Sequence, residues 1–566
     1  METRSHGSTE QSKRSLPNHP AKKYTIIGAG MIGYIVAYHL LARAVALGEP
    51  IRISMQEKND SPNTTTAKNV VPSLTIDEIV SVVPPAPVLN DKLSKPFNEP
   101  EGIRVDDVKG IHDSRTTREF LHAVKMNEKD PEAHKRRVET LLQLGRMSME
   151  SWQEMFDEAD DELKAILIKS NFQPCREPQK SGAPVLHDGY RVDLIYNIPS
   201  DTPGKATAID RAKSMCDDYQ RLGYNHCEIL SPDEVVKRDS FLADFCAEQS
   251  ELNSEGKRVW KKTASALWRP GGCIDTQVFL PLFHDYLTKV MGTYINEEGK
   301  EKNCFQRHLS RNVVGVTYEK GHRQSKMNGL VFFGQQGVKK DKHAYQQSDY
   351  IFCTGENVGA LDRLGLPEPE YARFAGASLM LNIKIPPNEI ERCKAFNHCM
   401  EVHQEGVVLA WQARFIDNTI FIGGAGTKAF YGDKEPQLDE AFAKDRNLLQ
   451  LNMMNDVLPE FLSWALKRNT KGEKLTAADL EYLKKEGIAK RWVGSRAVAF
   501  DGFPTLGHIA PNASCIGQAG SGGGSFAHGL VRTLFKLVKP HQQELMRTTL
   551  EYGNPERTHR TPHSRL

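Results

Sequence analysis

Tyr24-Thr25-Ile26-Ile27-Gly28-Ala29-Gly30-Met31-Ile32-Gly33 is a short apolar run that ends at glycine and passes straight into a helical pattern, Met31–Ala46. It reads as a buried parallel strand turning into a helix. Each glycine has a physical task in a GxGxxG turn. Gly28 permits the tight turn, Gly30 lets backbone approach a pyrophosphate, and Gly33 lets helix and strand pack closely. The helix N-terminus adds unpaired N–H groups and a partial positive charge. Gly48-Glu49-Pro50 breaks the helix, and Ile51–Gln56 reads as a second strand closed by Glu57. A carboxylate at that strand end accepts ribose hydroxyls and disfavours a 2′-phosphate, which points away from NADP. The segment predicts a dinucleotide site without choosing between NAD and FAD.

The remaining composition sets bounds. A chain of 566 residues exceeds what one core usually needs, so two or more lobes are expected. Lys and Arg number 74 against 72 Asp and Glu, a formal net charge of +2. That balance gives no electrostatic case for nucleic acid or an anionic membrane surface. The ten cysteines are scattered without a CxxC pair, which suits a reducing compartment and predicts no metal site. Cys393, His398, Cys399 and His403 come nearest to a ligand set and read as an ordinary loop. Tyr24–Leu47 is broken by glycines, His39 and Arg43, so it reads as strand and helix rather than a membrane span.

No fixed-period repeat is visible. Residues 1–22 and 542–566 read as loose polar tails, and 82–135 as a charged, proline-rich insertion. Val138, Leu141, Leu142, Gly145, Met149, Trp152 and Phe156 recur at helical spacing, with Trp152 read as core. Further expectations are a helix over Thr276–Val290 capped by Asp275, a strand over Ser348–Gly355 and strands within 407–424. A helical pattern covers Pro436–Leu466. Ser514-Cys515-Ile516 leads into a glycine-rich loop and a helix from Phe526 to Val538, on which His528 reads as an ordinary satisfied histidine.

Four segments resemble the D-amino-acid oxidase superfamily, and most its D-amino-acid dehydrogenase and glycine oxidase branch. Thr64-Thr65-Thr66-Ala67-Lys68-Asn69 resembles the family's Ser/Thr-rich run, and Trp268-Arg269-Pro270-Gly271-Gly272-Cys273-Ile274-Asp275 its Pro-Gly-Gly…Asp junction. Asp349–Gly355 with Leu361-Asp362-Arg363-Leu364-Gly365 resembles its second nucleotide-contacting strand. Trp492-Val493-Gly494-Ser495-Arg496-Ala497, then Asp501-Gly502-Phe503-Pro504-Thr505-Leu506-Gly507, is similar to Trp-x-Gly-x-Arg-Pro…Asp-Gly-x-Pro-x-Ile-Gly. Ala497 replaces the family proline and Ser521 its usual histidine.

The resemblance implies an α/β protein with a Rossmann-type FAD/NAD(P)-binding domain, discontinuous in sequence, and an α+β substrate domain carrying a mixed or antiparallel sheet. The expected FAD-binding parts are 23–81, 268–370 and 488–541, and the substrate lobe is 136–267 and 371–487. It implies non-covalent FAD held by Gly28, Gly30, Met31, Ile32, Gly33, Glu57, Lys58, Thr65, Thr66, Asn69, Val314, Thr354, Gly355, Gly502, Gly520, Gly522 and Gly523. Arg496 falls on the family arginine that binds a substrate carboxylate; its planar fork suits that task. Arg414, Tyr190 and Tyr431 are expected in the substrate lobe as structural residues. The implied reaction is oxidation of the C–N bond of a small amine or amino acid by hydride transfer to flavin N5, with hydrolysis of the imine. Oxygen or a quinone would accept the electrons, in the cytoplasm or, for a quinone, at a membrane periphery. An FAD-linked 2-hydroxy-acid dehydrogenase of malate–quinone type and a flavin-binding scaffold without turnover are the competing readings.

Overall fold

The quoted segment lies at the middle of a six-stranded sheet. In the structure, a computed structural model, the described residues are 21–60, 73–74, 104–105, 131–173, 190–196, 212–213, 216–217, 219–220, 227–238, 249–252, 258–262, 264–295, 301–334, 337–341, 348–355, 360–369, 371–395, 399–404, 407–414, 418–425, 427–432, 447–452, 454–455, 458–499, 501–517 and 523–557. Strand β1 (Lys22–Ile27) enters helix α1 (Met31–Leu47), and β2 (Ile51–Gln56) returns parallel to β1. Parallel to these run β3 (Phe305–His308) outside β2 and β4 (Ser348–Gly355) on the far side of β1. The sheet is completed by the hairpin of β5 (Thr505–Ala510) and β6 (Ala513–Gly517), with β6 parallel to β4. The order is β3-β2-β1-β4-β6-β5. A sheet covered on both faces calls for near-continuous apolar strands, and Ile26-Ile27 of β1 and Tyr350-Ile351-Phe352 of β4 supply them. Ten residues of α1 are buried, as befits a helix enclosed by its neighbours. Gly48, at φ +65°, ends it in the left-handed conformation that glycine adopts without a Cβ penalty.

The second layer is a ten-stranded mixed sheet. Its longest strand, Tyr371–Lys384, pairs antiparallel with Ala489–Ala499 along one side and with Thr419–Ala425 and Thr427–Gly432 along the other. Val407–Arg414, Cys399–Gln404, Tyr190–Tyr196, Ala264–Pro270 and Glu228–Leu230 extend it. Leu379, Leu381 and Ile383 pack there with Phe461, Leu462, Leu480 and Leu483 from two helices in a core of their own. A separate three-stranded sheet, Asn312–Tyr318, Met327–Gly334 and Gly337–Asp341, carries Val314.

Several expectations shift. The helix read from Val138 onward is α2 (Pro131–Asp157), and it packs on the core of the parallel sheet rather than in the substrate lobe. Its apolar face meets helix α3 (Ala527–Leu534), where a Cβ at Gly529 would lie 2.9 Å from the Leu144 carbonyl oxygen. That α3 stops four residues short of the expected end follows from Lys536, which sits at φ +56°. Conversely, Ala489–Ala499 belongs to the ten-stranded sheet, so the chain rejoins the parallel sheet only at β5. Cys393 lies on the helix Ile390–Ala395, while Cys399 and His403 lie on a strand, so the expected loop is regular structure; His398 is outside the described residues. Two of the scattered cysteines converge: the sulfurs of Cys216 and Cys227 are 2.9 Å apart. The Thr276–Tyr286 helix is capped by Asp275, which accepts from Gln277 N–H at 3.0 Å, as expected. Of the 82–135 insertion the structure describes 104–105 and 131–135; Arg104–Val105 pairs parallel with Ala429 and Phe430.

The largest correction concerns the C-terminus. The stretch expected as a tail contains a helix, Gln543–Tyr552, and then locks onto the fold. Leu506 N–H donates to the Gly553 carbonyl at 2.7 Å, and Arg557 Nε meets the Asp501 carboxylate at 2.9 Å, with both side chains largely withdrawn from solvent. Removing one partner of a buried pair strands the other charge. Arg557→Ala is therefore expected to lower the unfolding free energy in urea by about 3 kcal/mol. A loss below about 1 kcal/mol would mean that the pair is no better than a surface bridge.

Candidate functional site

Strand order reverses at β1: β2 and β3 lie to one side, β4 and β6 to the other. The carboxyl ends of parallel strands at such a switch point form a crevice, because the following loops diverge to opposite faces. Gly28 lies at that point. It sits at φ +108°, and an added Cβ would fall 2.2 Å from the Cys353 carbonyl oxygen on β4. A Cβ at Gly33 would fall 2.1 Å from the Gly28 carbonyl oxygen. Neither neighbour can yield, since both are backbone. Gly30 is the N-cap of α1 and supplies no side-chain cap; the first turn also lacks an acid. Its N–H groups are therefore left for an outside anion. Met31 and Ile32, in that first turn, are buried.

Glu57 is 5% exposed at the end of β2. Its Oε2 accepts from Ala29 N–H at 2.9 Å and its Oε1 from Asn59 N–H at 3.0 Å. The carboxylate thus spans the glycine turn and the second strand, and each oxygen keeps a lone pair for a ribose hydroxyl. The backbone of Glu57 is tied to the end of β3 through His308 O and to the segment after it through Arg311 N–H. Lys58 is exposed, and Val314 is 42% exposed at a register shift between Val313 and Gly315. Thr354 is half-buried beside Gly517, while Gly355, at φ +55°, ends β4 on the same edge as Gly28.

The C-terminal third reaches this edge through β6, whose carboxyl end precedes the glycine-rich turn. Gly523 belongs to that turn, and a Cβ there would meet open space. Gly502, at φ +74°, sits in the turn entering β5, where Phe503 N–H donates to Asp501. Arg496 pairs with Phe374 in the ten-stranded sheet, six residues ahead of Gly502. Arg414, Tyr190 and Tyr431 also lie on strands of that sheet. Thr65, Thr66, Asn69, Gly520 and Gly522 lie outside the described residues. The donor set fits an adenine dinucleotide: a glycine turn with no room for a Cβ, an uncapped helix end and a buried carboxylate one strand away.

Sequence reasoning missed a cluster behind the glycine-rich turn. His39 Nε2 of α1 lies 3.0 Å from His528 Nδ1 of α3, and His528 is 1% exposed with no hydrogen-bonding partner for its Nε2. Burial, with the Arg532 guanidinium nearby, lowers the His39 pKa to about 4 against a smaller upward pull from Glu154. Burial holds that of His528 well below the ordinary range. The pair is neutral at physiological pH, so a single N–H joins the rings. Trp152, read as plain core, directs its indole N–H to the Gly524 carbonyl at 3.2 Å. Nothing in residue spacing signals either contact, because each joins positions more than 370 apart. Burial also raises the pKa of the Cys353 and Cys515 thiols on β4 and β6, keeping them protonated and poorly nucleophilic.

No family model and no curated protein matches the chain. Among solved structures, a thermally stable mutant of fructosyl peptide oxidase matches with a TM-score of 0.50 at 11% identity, over 94% of this chain and 93% of that one. L-proline dehydrogenase from P. horikoshii matches at 0.49 and 13% identity, over 95% and 98%. Glycine oxidase from Geobacillus kaustophilus matches at 0.47 and 11%, over 92% and 96%. At these identities the likeness to the first is one of fold, and it extends over both sheets: the Rossmann-type unit and the mixed-sheet layer implied by the sequence resemblance. Among the described residues no helix is long and apolar enough to cross a membrane.

The neutral histidine pair has a consequence for acid stability. Unfolded, each histidine takes a proton near pH 6.5; folded, His39 does so only near 4. The unfolded chain therefore binds more protons in that window. Stability is full above pH 6.5 and falls as pH drops toward 4, by up to about 1.4 kcal/mol per pH unit for each histidine. Urea titrations between pH 7 and 4.5 should show this slope, and His39→Gln should flatten it. Parallel slopes in the two proteins would show that the pair does not titrate as described.

Proposed function

We propose that this chain is an FAD-dependent oxidoreductase that oxidises the C–N bond of a small amine or amino acid. The observation that carries the reading is the switch-point crevice, where the Gly28 turn, the open end of α1 and the buried Glu57 carboxylate converge. The fold shared with fructosyl peptide oxidase, whose name is that of an oxidase, supports it. Gly28, Gly30, Met31, Ile32 and Gly33 would receive the diphosphate and Glu57 the adenosine ribose. Lys58, Thr65, Thr66, Asn69, Val314, Thr354, Gly355, Gly502, Gly520, Gly522 and Gly523 complete the proposed cofactor contacts. The protonated state of Cys353 and Cys515 supports non-covalent attachment.

Bound flavin supplies the two-electron oxidant for the substrate's Cα–H bond. What remains for the protein is orientation and exclusion of water. Arg496 is assigned the substrate carboxylate. It is held on a strand paired to Tyr371–Lys384 and leads directly into the Gly502 turn, so its backbone is fixed relative to the parallel sheet.

The purified protein is expected to be yellow, to release FAD on acid precipitation and to bleach anaerobically with an amine or amino acid. Colourless protein that refuses added FAD sinks the reading. Bleaching by 2-hydroxy acids alone moves it to a hydroxy-acid dehydrogenase, and stable colour with every substrate to a binding scaffold. Arg496→Ala should cost about 3 kcal/mol or more, roughly a hundredfold in kcat/KM for a carboxylate substrate. An unchanged kcat/KM would remove Arg496 from the site.

A further inference from the structure

We propose that Trp152 is a positioning residue for the cofactor, setting the backbone of the glycine-rich turn through its hydrogen bond to Gly524. The proposal rests on the flavin reading above. The described part of the turn opens on Gly523-Gly524, which has no side chain with which to hold itself, and glycine backbone has the widest choice of conformations. A turn of that kind keeps one geometry only if something outside it fixes a peptide plane. Gly524 is where that happens. Its carbonyl oxygen accepts from Trp152 Nε1 at 3.2 Å and from Ala527 N–H at 3.4 Å. In a planar trans peptide the C=O and the following N–H point in opposite directions, so anchoring the Gly524 oxygen toward α2 also fixes the direction of the Ser525 N–H.

The anchor is itself held. Trp152 is 1% exposed, packed against Phe172 and Phe279, with the His528 ring edge-to-face at 4.4 Å between centroids. His528 is bonded in turn to His39 on α1. Alongside, Gly529 N–H donates to Ser148 Oγ at 3.2 Å, and Arg532 bridges Ser151 and Glu154, so α2 and α3 keep a fixed register. A chain of contacts therefore runs from the helix behind the first glycine turn to the carbonyl that fixes the second. A phenylalanine would keep an aromatic ring in this core but could not donate to the Gly524 carbonyl.

Trp152→Phe keeps an aromatic ring and removes that donor. FAD titrated into the apoprotein should bind roughly five- to tenfold more weakly, the scale of one lost hydrogen bond. The bound flavin should also show a shifted visible spectrum and midpoint potential, which looser packing elsewhere would not move. FAD binding within twofold of wild type, with superimposable spectrum and potential, overturns the proposal whatever the melting temperature does. Should Trp152→Phe not fold, β-(3-benzothienyl)alanine incorporated at position 152, which keeps the indole's shape and lacks its N–H, carries the same comparison, with the same shifts expected and the same null result overturning it. A wild-type protein that takes up no FAD defeats the flavin reading itself, and this proposal with it.

Discussion

Everything at the crevice depends on the missing side chain at Gly28. With the Cys353 carbonyl 2.2 Å from where a Cβ would stand, β1 and β4 can be neighbours at their carboxyl ends only because that atom is absent. The same turn brings the Gly28 oxygen to 2.1 Å from a hypothetical Cβ at Gly33, which lets α1 lie directly over β1. Once helix and strands are that close, the open end of α1 and the Ala29 N–H face the end of β2, and Glu57 closes the gap. The glycine turn is thus a packing solution first. Its capacity for an anion follows from the backbone donors that the packing leaves unpaired.

The C-terminal third reaches the same place by a separate route. Ala489–Ala499 is a strand of the ten-stranded sheet, yet a few residues later β5 belongs to the parallel one. The turn between them has to be rigid if a residue such as Arg496 is to be located relative to the crevice. Gly502 provides the left-handed corner, Asp501 accepts the Phe503 N–H, and Arg557 returns from the end of the chain to neutralise Asp501. Asp501, Gly502 and Phe503 therefore each have a structural role in the turn itself.

Much of this was legible in the sequence because it is local. Ile51–Gln56 is bounded in the structure as read, since a break at Gly48-Glu49-Pro50 and a polar end at Glu57 leave little choice. Asp275 caps its helix because a short acceptor before Thr276 meets a free N–H two residues on. What stayed hidden is long-range or context-dependent. Residues 543–557 are polar enough to read as a tail, but a helix with Leu545, Leu550 and Tyr552 on its inner side and one arginine opposite a buried aspartate suffices to dock it. The helix α2 was visible as a helix, whereas its partner was not: an apolar stripe reports that a face is covered and is silent about what covers it.

Trp152 and His528 show where pattern reading stops in physical terms. An aromatic residue on the buried face of an amphipathic helix is core by every periodicity argument, and the structure agrees that both side chains are buried. Burial, however, obliges each polar atom they carry to find a partner or to remain unmet. The indole N–H meets this with a glycine carbonyl, one imidazole nitrogen with His39, and the other finds nothing. Apolar residues would have filled the same volume without those demands. Retaining polar atoms in the driest part of the fold, where each must be satisfied in a single geometry, fixes orientation more tightly than packing alone. The backbone that the indole meets is that of Gly524, which follows Gly523 and has no side chain with which to orient itself.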